Sequence, residues 1–185
     1  MANAHRRNNS LDRIMINGEW LTEDQEVREG IVNAFQNLLS EEPGWRANIE
    51  GLQLNQLNSW EAEDLEMPFT KEEIHFALME MKGDKAPGPD GFTMAFWQAC
   101  WDFVKEEVVD LFKEFYERGS FAKCLNTTFL VLIPKKGGAE DLGDFRPINL
   151  LGGLYKLLAK VLANRLKKVL DRVVLVDQNA FVRGR

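Results

Sequence analysis

Cysteine is scarce in this chain, and its two residues stand apart. Cys100 and Cys124 form no spaced cluster, so neither a disulfide framework nor a cysteine zinc site is indicated. That usage suits a reducing compartment, and an intracellular location, nuclear or cytoplasmic, is expected. The histidines, His5 and His75, lie far apart, and no Gly-x-Ser-x-Gly or Cys-x-x-Cys occurs. No nucleophilic or thiol-redox set is therefore assigned. No apolar run approaches the length needed to cross a bilayer, so no membrane partner is expected. The opening Met1-Ala2-Asn3-Ala4-His5-Arg6-Arg7 has no apolar core for a secretory signal.

Also missing is a pair of aspartates after a short apolar strand. Nucleotidyl transfer by the polymerase route needs two divalent metals about 3.5–4 Å apart, held by converging carboxylates. Glu63-Asp64 and Glu140-Asp141 are adjacent acids, but neither sits in a hairpin turn between apolar strands. No catalytic residue, no metal site and no cofactor are therefore assigned to this chain.

What is present is an ordinary globular composition, 45% hydrophobic and 28% charged, able to build one cored domain or a small domain with an extension. The net charge of −6 argues against nucleic acid only until its distribution is seen. Residues 1–122 carry 11 Lys/Arg against 24 Asp/Glu, whereas residues 123–185 carry 12 against 5. A basic C-terminal third has the sign that polyphosphate contact needs, or the two parts attract each other within one fold.

The most informative stretch is Leu130-Val131-Leu132-Ile133-Pro134-Lys135-Lys136, followed by Asp144-Phe145-Arg146-Pro147-Ile148-Asn149. The run from Phe129 to Ile133 has no polar alternation and reads as a strand buried on both faces or nearly so. Pro134 ends it, and Gly137-Gly138 supplies a turn. The resulting hairpin carries Lys135, Lys136 and Arg146 near one end. Such cations suit phosphate, lysine as a point charge and arginine as a two-pronged donor. They also suit a plain solvated surface.

These residues carry a family resemblance. Leu132-Ile133-Pro134-Lys135, Phe145-Arg146-Pro147-Ile148-Asn149-Leu150-Leu151, Tyr155-Lys156-Leu157 and Leu162-Ala163-Asn164-Arg165-Leu166 resemble the fingers motifs of reverse transcriptases. The variety is that of LINE-type (non-LTR) retrotransposons, particularly the plant kind. Upstream, Lys85-Ala86-Pro87-Gly88-Pro89-Asp90-Gly91-Phe92 resembles the loop that opens the same domain, and Gln178-Asn179-Ala180-Phe181-Val182-Arg183-Gly184-Arg185 resembles its Gln-x-x-Phe-x-x-Gly-Arg segment.

The resemblance implies that Arg146 and Lys135, with Lys136 a looser match, contact the triphosphate of an incoming dNTP. It places the Lys85 loop near a template path, and matches Gln178, Arg183 and Arg185 to family positions near the domain's end. RNA/DNA template-primer is the implied partner. The family's palm, whose aspartates hold two metal ions, follows this region. The chain ends at Arg185, before either aspartate motif. A truncated RNA-directed DNA polymerase domain, inactive alone, is thus expected, with Mg2+ only in a full-length relative. A non-catalytic nucleic-acid-binding or protein-interaction module derived from such an element is the alternative.

The remaining elements follow from periodicity. Asn17-Gly18 predicts a hairpin with Ile14, Ile16 and Trp20 on its apolar side. Thr22 can cap a helix over residues 23–40, and residues 44–67 read as an acidic connector. Thr70 and Glu73 form a capping box, with His75 off the core stripe and exposed. A helix is expected from Phe92 to about Arg118, closed by Gly119.

A last helix follows Gly152-Gly153, with Leu154, Leu157, Leu158, Val161, Leu162, Leu166 and Val169 on its core face. Lys156, Lys160 and Lys167 fall on the opposite face, as a stripe for a nucleic-acid backbone or a solubilising surface. Arg165 lies inside the apolar sector, so it needs a partner or must reach out past the core edge, and a structural ion pair is expected rather than a substrate ligand. The Lys85–Gly91 loop is stiff, and serves either structure or a ligand. The expected fold is α+β, long helices on a small antiparallel sheet, with residues 1–65 a connector and 66–185 a partial fingers domain.

Overall fold

The computed structural model describes residues 11–40 and 56–173. They form helices and two small two-stranded sheets, an α+β arrangement. The chain divides into two compact units, Met1–Ile49 with Val131–Ile148, and Glu50–Leu130 with Asn149–Arg185.

In the first unit, β1 (Ile14–Ile16) and β2 (Glu19–Leu21) form the expected hairpin. Asn17 and Gly18 take φ of 54° and 86°, which a two-residue turn of this hand requires. Ile14 pairs with Leu21 and Met15 with Trp20. Ile14, Ile16 and Leu21 therefore share the core face with Val27, and Trp20 does not. The assignment of Trp20 to that face is corrected: pairing with Met15 puts it on the other side, 45% exposed, beneath the Arg13 guanidinium. Helix α1 (Asp24–Leu39) starts one residue later than Thr22 would cap; Glu23 is the N-cap and makes no side-chain bond there.

The second unit is helix packed on helix. Helix α2 (Ser59–Glu66) stands where an irregular connector was expected. Asn58 accepts from the Glu61 N–H, and the Glu61 carboxylate accepts from the Asn58 N–H. This reciprocal box starts the helix from a short polar signal. Helix α3 (Lys71–Met79) is capped by Thr70, but only one half of its box forms, because Glu73 points elsewhere. His75 is half-buried, not exposed, and stacks on Trp101 at 5.1 Å.

The long helix expected from Phe92 is two: α4 (Met94–Ala99), capped by Thr93, and α5 (Trp101–Arg118). Cys100 breaks the run with ψ near 6°, and Gly119 closes α5 at φ 62°. Helix α6 (Gly153–Lys167) completes the core, with α7 (Leu170–Val173) after it. Ile74 and Leu78 of α3, Val108 and Phe112 of α5, and Leu157 and Val161 of α6 are the buried centre. Leu166 is 56% exposed, against expectation. Arg165 follows Leu158 and Val161 at helical spacing and occupies the inward position instead.

Strands β3 (Thr128–Pro134) and β4 (Phe145–Leu151) pair as a two-stranded ribbon. The expectation of a strand buried on both faces fails here. Phe129 is 55% exposed and Ile133 46%. Two strands cannot cover each other's faces, and of this run only Leu132 joins the first unit's core cluster, beside Phe145. No helix among the described residues is long and apolar enough to cross a membrane.

Candidate functional site

The end of the β3–β4 hairpin carries Lys135 and Lys136 after β3, and Arg146 is the second residue of β4. The Lys135 N–H donates to the Asp144 carbonyl at 2.8 Å, and its Nζ donates to the Gly143 carbonyl at 2.7 Å. The Asp141 carboxylate accepts from the Gly143 N–H at 2.7 Å, which closes a short 3₁₀ turn over Leu142–Asp144. Lys136 Nζ lies 2.8 Å from Asp144. The lysines thus shape the loop as well as charging it. Arg146 differs: it is exposed, and among the described residues no hydrogen bond or ion pair holds its guanidinium.

The hydrogen bond from Lys136, and then its charge, hold the Asp144 carboxyl below its ordinary 3.8. The same bond, and then the charge of Asp144, raise Lys136 above its ordinary 10.5. A depressed carboxyl contributes above its unfolded value, and that contribution is lost as pH falls through the folded one. A raised lysine contributes below its unfolded value and loses that contribution as pH rises through the folded one. An NMR titration of the Asp144 carboxyl carbon is expected to give a midpoint below 3.8 that moves up in Lys136→Met. A midpoint unmoved by that substitution would show that the bridge does not form.

The Lys85–Gly91 loop has a structural task. Asp90 Oδ2 accepts from the Gly153 N–H at 2.5 Å, capping α6 from 63 residues upstream, while Gly152 at the N-cap has no side chain to do so. Asp90 Oδ1 accepts from the Phe92 N–H, and Gly91 takes φ 72° to turn the chain. Lys156 Nζ donates to the Ala86 carbonyl at 3.1 Å.

So docked, the loop borders a groove of about 490 Å³ that brings Lys85, Lys156 and Lys160 together, with Lys82 and Asn149. The free lysine stripe expected on α6 is corrected in part. Lys156 and Lys160 are half-buried, the one on Ala86 and the other 2.9 Å from Glu80. Helical spacing set their common face, but α3 and the loop were already lying against it. Lys167 stays exposed and lines a neighbouring groove of about 710 Å³. Gln178, Arg183 and Arg185 lie outside the described residues.

Arg165 is the structural residue its position demanded. Its Nε and Nη2 each lie 2.7 Å from a Glu73 oxygen, and its remaining donors reach the carbonyls of Leu65, Met67 and Pro68. Its guanidinium also lies 4.3 Å over the Phe69 ring. Lys82, Lys168 and Glu80 were not singled out from sequence. The first two neighbour cations that were, but nothing local marks Glu80 as the partner of Lys160, 80 positions away.

The adjacent acids do not suit a metal pair. Asp64 meets Lys168, Glu140 meets Arg13, and Asp141 caps its own turn. Among the described residues no group of three or more His, Cys, Asp or Glu is placed to hold an ion.

No family model matches this chain. It is 34% identical over 170 residues to the transposon TX1 uncharacterized 149 kDa protein of Xenopus laevis, covering 91% of this chain and 13% of that one. The Pol polyprotein of type-1 retrotransposable element R1 from Bradysia coprophila is 29% identical over 161 residues, 85% of this chain and 15% of that one. Its homologues are non-LTR retrotransposon proteins. A third, the RNA-directed DNA polymerase from mobile element jockey of Drosophila funebris, is 30% identical over 100 residues, or 54% of this chain and 11% of that one. The retrotransposon homology thus reaches both the basic hairpin's part of the chain and most of what precedes it, since it covers 91% of the residues.

Proposed function

We propose that this chain is the fingers part of a non-LTR reverse transcriptase, an RNA-directed DNA polymerase whose palm would supply the metals. In that role it contacts the triphosphate of a dNTP and the template strand, and does no chemistry by itself. The retrotransposon homology supports the family, and the observation that carries the role is Arg146. It stands exposed on β4 in Phe-Arg-Pro-Ile, with no hydrogen bond or ion pair to it among the described residues, on the strand paired with the one that leads into Lys135 and Lys136. A planar guanidinium there offers a paired set of donors to phosphate oxygens, and the lysines offset their charge. Lys85, Lys156 and Lys160 in the groove supply the template side.

Binding of a dNTP with magnesium to the full chain, followed by calorimetry, tests the assignment. Arg146→Ala is expected to weaken binding about ten-fold or more, the scale of a lost charged hydrogen bond. Its circular dichroism should stay that of the parent, since no packing depends on that side chain. Unchanged affinity in Arg146→Ala would remove the triphosphate role.

A further inference from the structure

Two grooves in the helical unit share a wall. Glu80 and Lys160 border both the groove that holds Lys85 and Lys156 and the one that holds Lys167 and Lys168. Together they present seven Lys or Arg side chains against three carboxylates, within a chain of net charge −6. Each carboxylate already has a cation: Glu73 has Arg165, Asp64 has Lys168 at 3.1 Å, and Glu80 has Lys160 at 2.9 Å. Among the described residues, Lys82, Lys85 and Lys167 form no ion pair, and Lys156 holds only a backbone carbonyl.

Three of the seven cations are arranged in a line. Lys156, Lys160 and Lys167 share one face of α6 over about 16 Å of helix, long enough for several successive phosphates. Phe76, 63% exposed, lines the second groove. An aromatic face beside spaced cations is what unpaired bases on a backbone require, and a duplex has no free base to stack. Glu80 is the exception on this path. Its carboxyl accepts from Lys160 and, at 3.3 Å, from Asn164. Those two bonds, that of Lys160 the larger, hold it below its ordinary range, so it is charged at neutral pH. A phosphate would meet it with the wrong sign, yet would find the same two donors.

We infer that the two grooves are one track for a single nucleic-acid strand, with Glu80 occupying a phosphate position until a strand displaces it from Lys160. The inference rests on the polymerase assignment for its ligand and for the template side already given to Lys85, Lys156 and Lys160, which it extends to Lys167, Phe76 and Glu80; it does not use Arg146.

The test is the affinity of the full chain for a fluorescein-labelled single-stranded oligonucleotide across a salt series. Glu80→Gln is expected to bind about two- to five-fold more tightly at low salt, the worth of one exposed ion pair no longer in competition. Its log K against log salt should steepen by about 0.7, one more phosphate contact on a single strand. Lys167→Ala should make that slope shallower by about 0.7. Phe76→Ala should weaken binding about five-fold or more, the loss of one stacked base.

A Glu80→Gln chain that binds no tighter, a Lys167→Ala chain with the parent slope, or a duplex bound as well as the single strand would each overturn the track. Triphosphate binding that still depends on Arg146 would then leave the triphosphate part of the polymerase assignment standing and remove only its template side. Loss of both sets of results would remove both.

Discussion

Replacing Arg165 with alanine is expected to cost about 3–5 kcal/mol of folding stability, the scale for removing one member of a buried ion pair. The side chain is only 8% exposed, and its Glu73 partner 22%. Without the guanidinium, both oxygens of the half-buried Glu73 carboxylate lose their donors. The carbonyls of Leu65, Met67 and Pro68 lose their donors as well. Urea denaturation followed by circular dichroism measures the loss. Arg165→Lys should recover little, because an ammonium cannot span two carboxylate oxygens and three carbonyls. The double substitution Arg165→Met with Glu73→Gln should recover a good part, since it leaves no buried charge behind. A single substitution costing under about 1 kcal/mol would mean the network is open to water and contributes as a surface pair does.

Gly88→Ala is the second large effect expected. A Cβ there would lie 2.3 Å from the carbonyl carbon and oxygen of Leu151 and 2.5 Å from the Gly152 nitrogen. These are backbone atoms at the end of β4 and the N-cap of α6, and no rotamer change can move them aside. The loop would have to lift, and with it Asp90, whose carboxylate caps Gly153. A cost of about 3 kcal/mol is expected, the upper range for forcing extra atoms into packed structure. Gly137→Ala is the control: nothing lies within 4 Å and its φ is not positive, so a change under about 0.5 kcal/mol is expected. Equal effects at the two glycines would show that the loop does not dock on α6. Because the same docking brings Lys85 and Lys156 to one groove, Gly88→Ala should also weaken oligonucleotide binding.

The local elements were legible because their signals are short. Asn17-Gly18 dictates a two-residue turn wherever apolar arms flank it, and Gly119 stops α5 by adopting a conformation other residues avoid. Asn58-x-x-Glu61 carries an equally short signal, a capping box set among acidic neighbours. Arg165 shows periodicity at its most useful. A charged residue in an apolar sector required a partner, though nothing in the sequence could say that it would be Glu73, 92 positions away. The exposure of β3 shows where periodicity fails. An unbroken apolar run tells what a strand could bury, not whether a second layer lies against it.

The amino-acid sequence by itself determined most of the helices, the two hairpins and the concentration of positive charge in the last third of the chain. These depend on residues within a few positions of one another, where backbone geometry leaves few choices. Only the tertiary structure decided which cations are already committed and which stand free. It gave Lys160 to Glu80, closed Arg165 around Glu73, turned the Lys85 loop into the cap of α6 and, among the described residues, left Arg146 without a partner. Electrostatic contacts act over a few ångströms in space and take no account of distance along the chain, so only the folded chain could assign them.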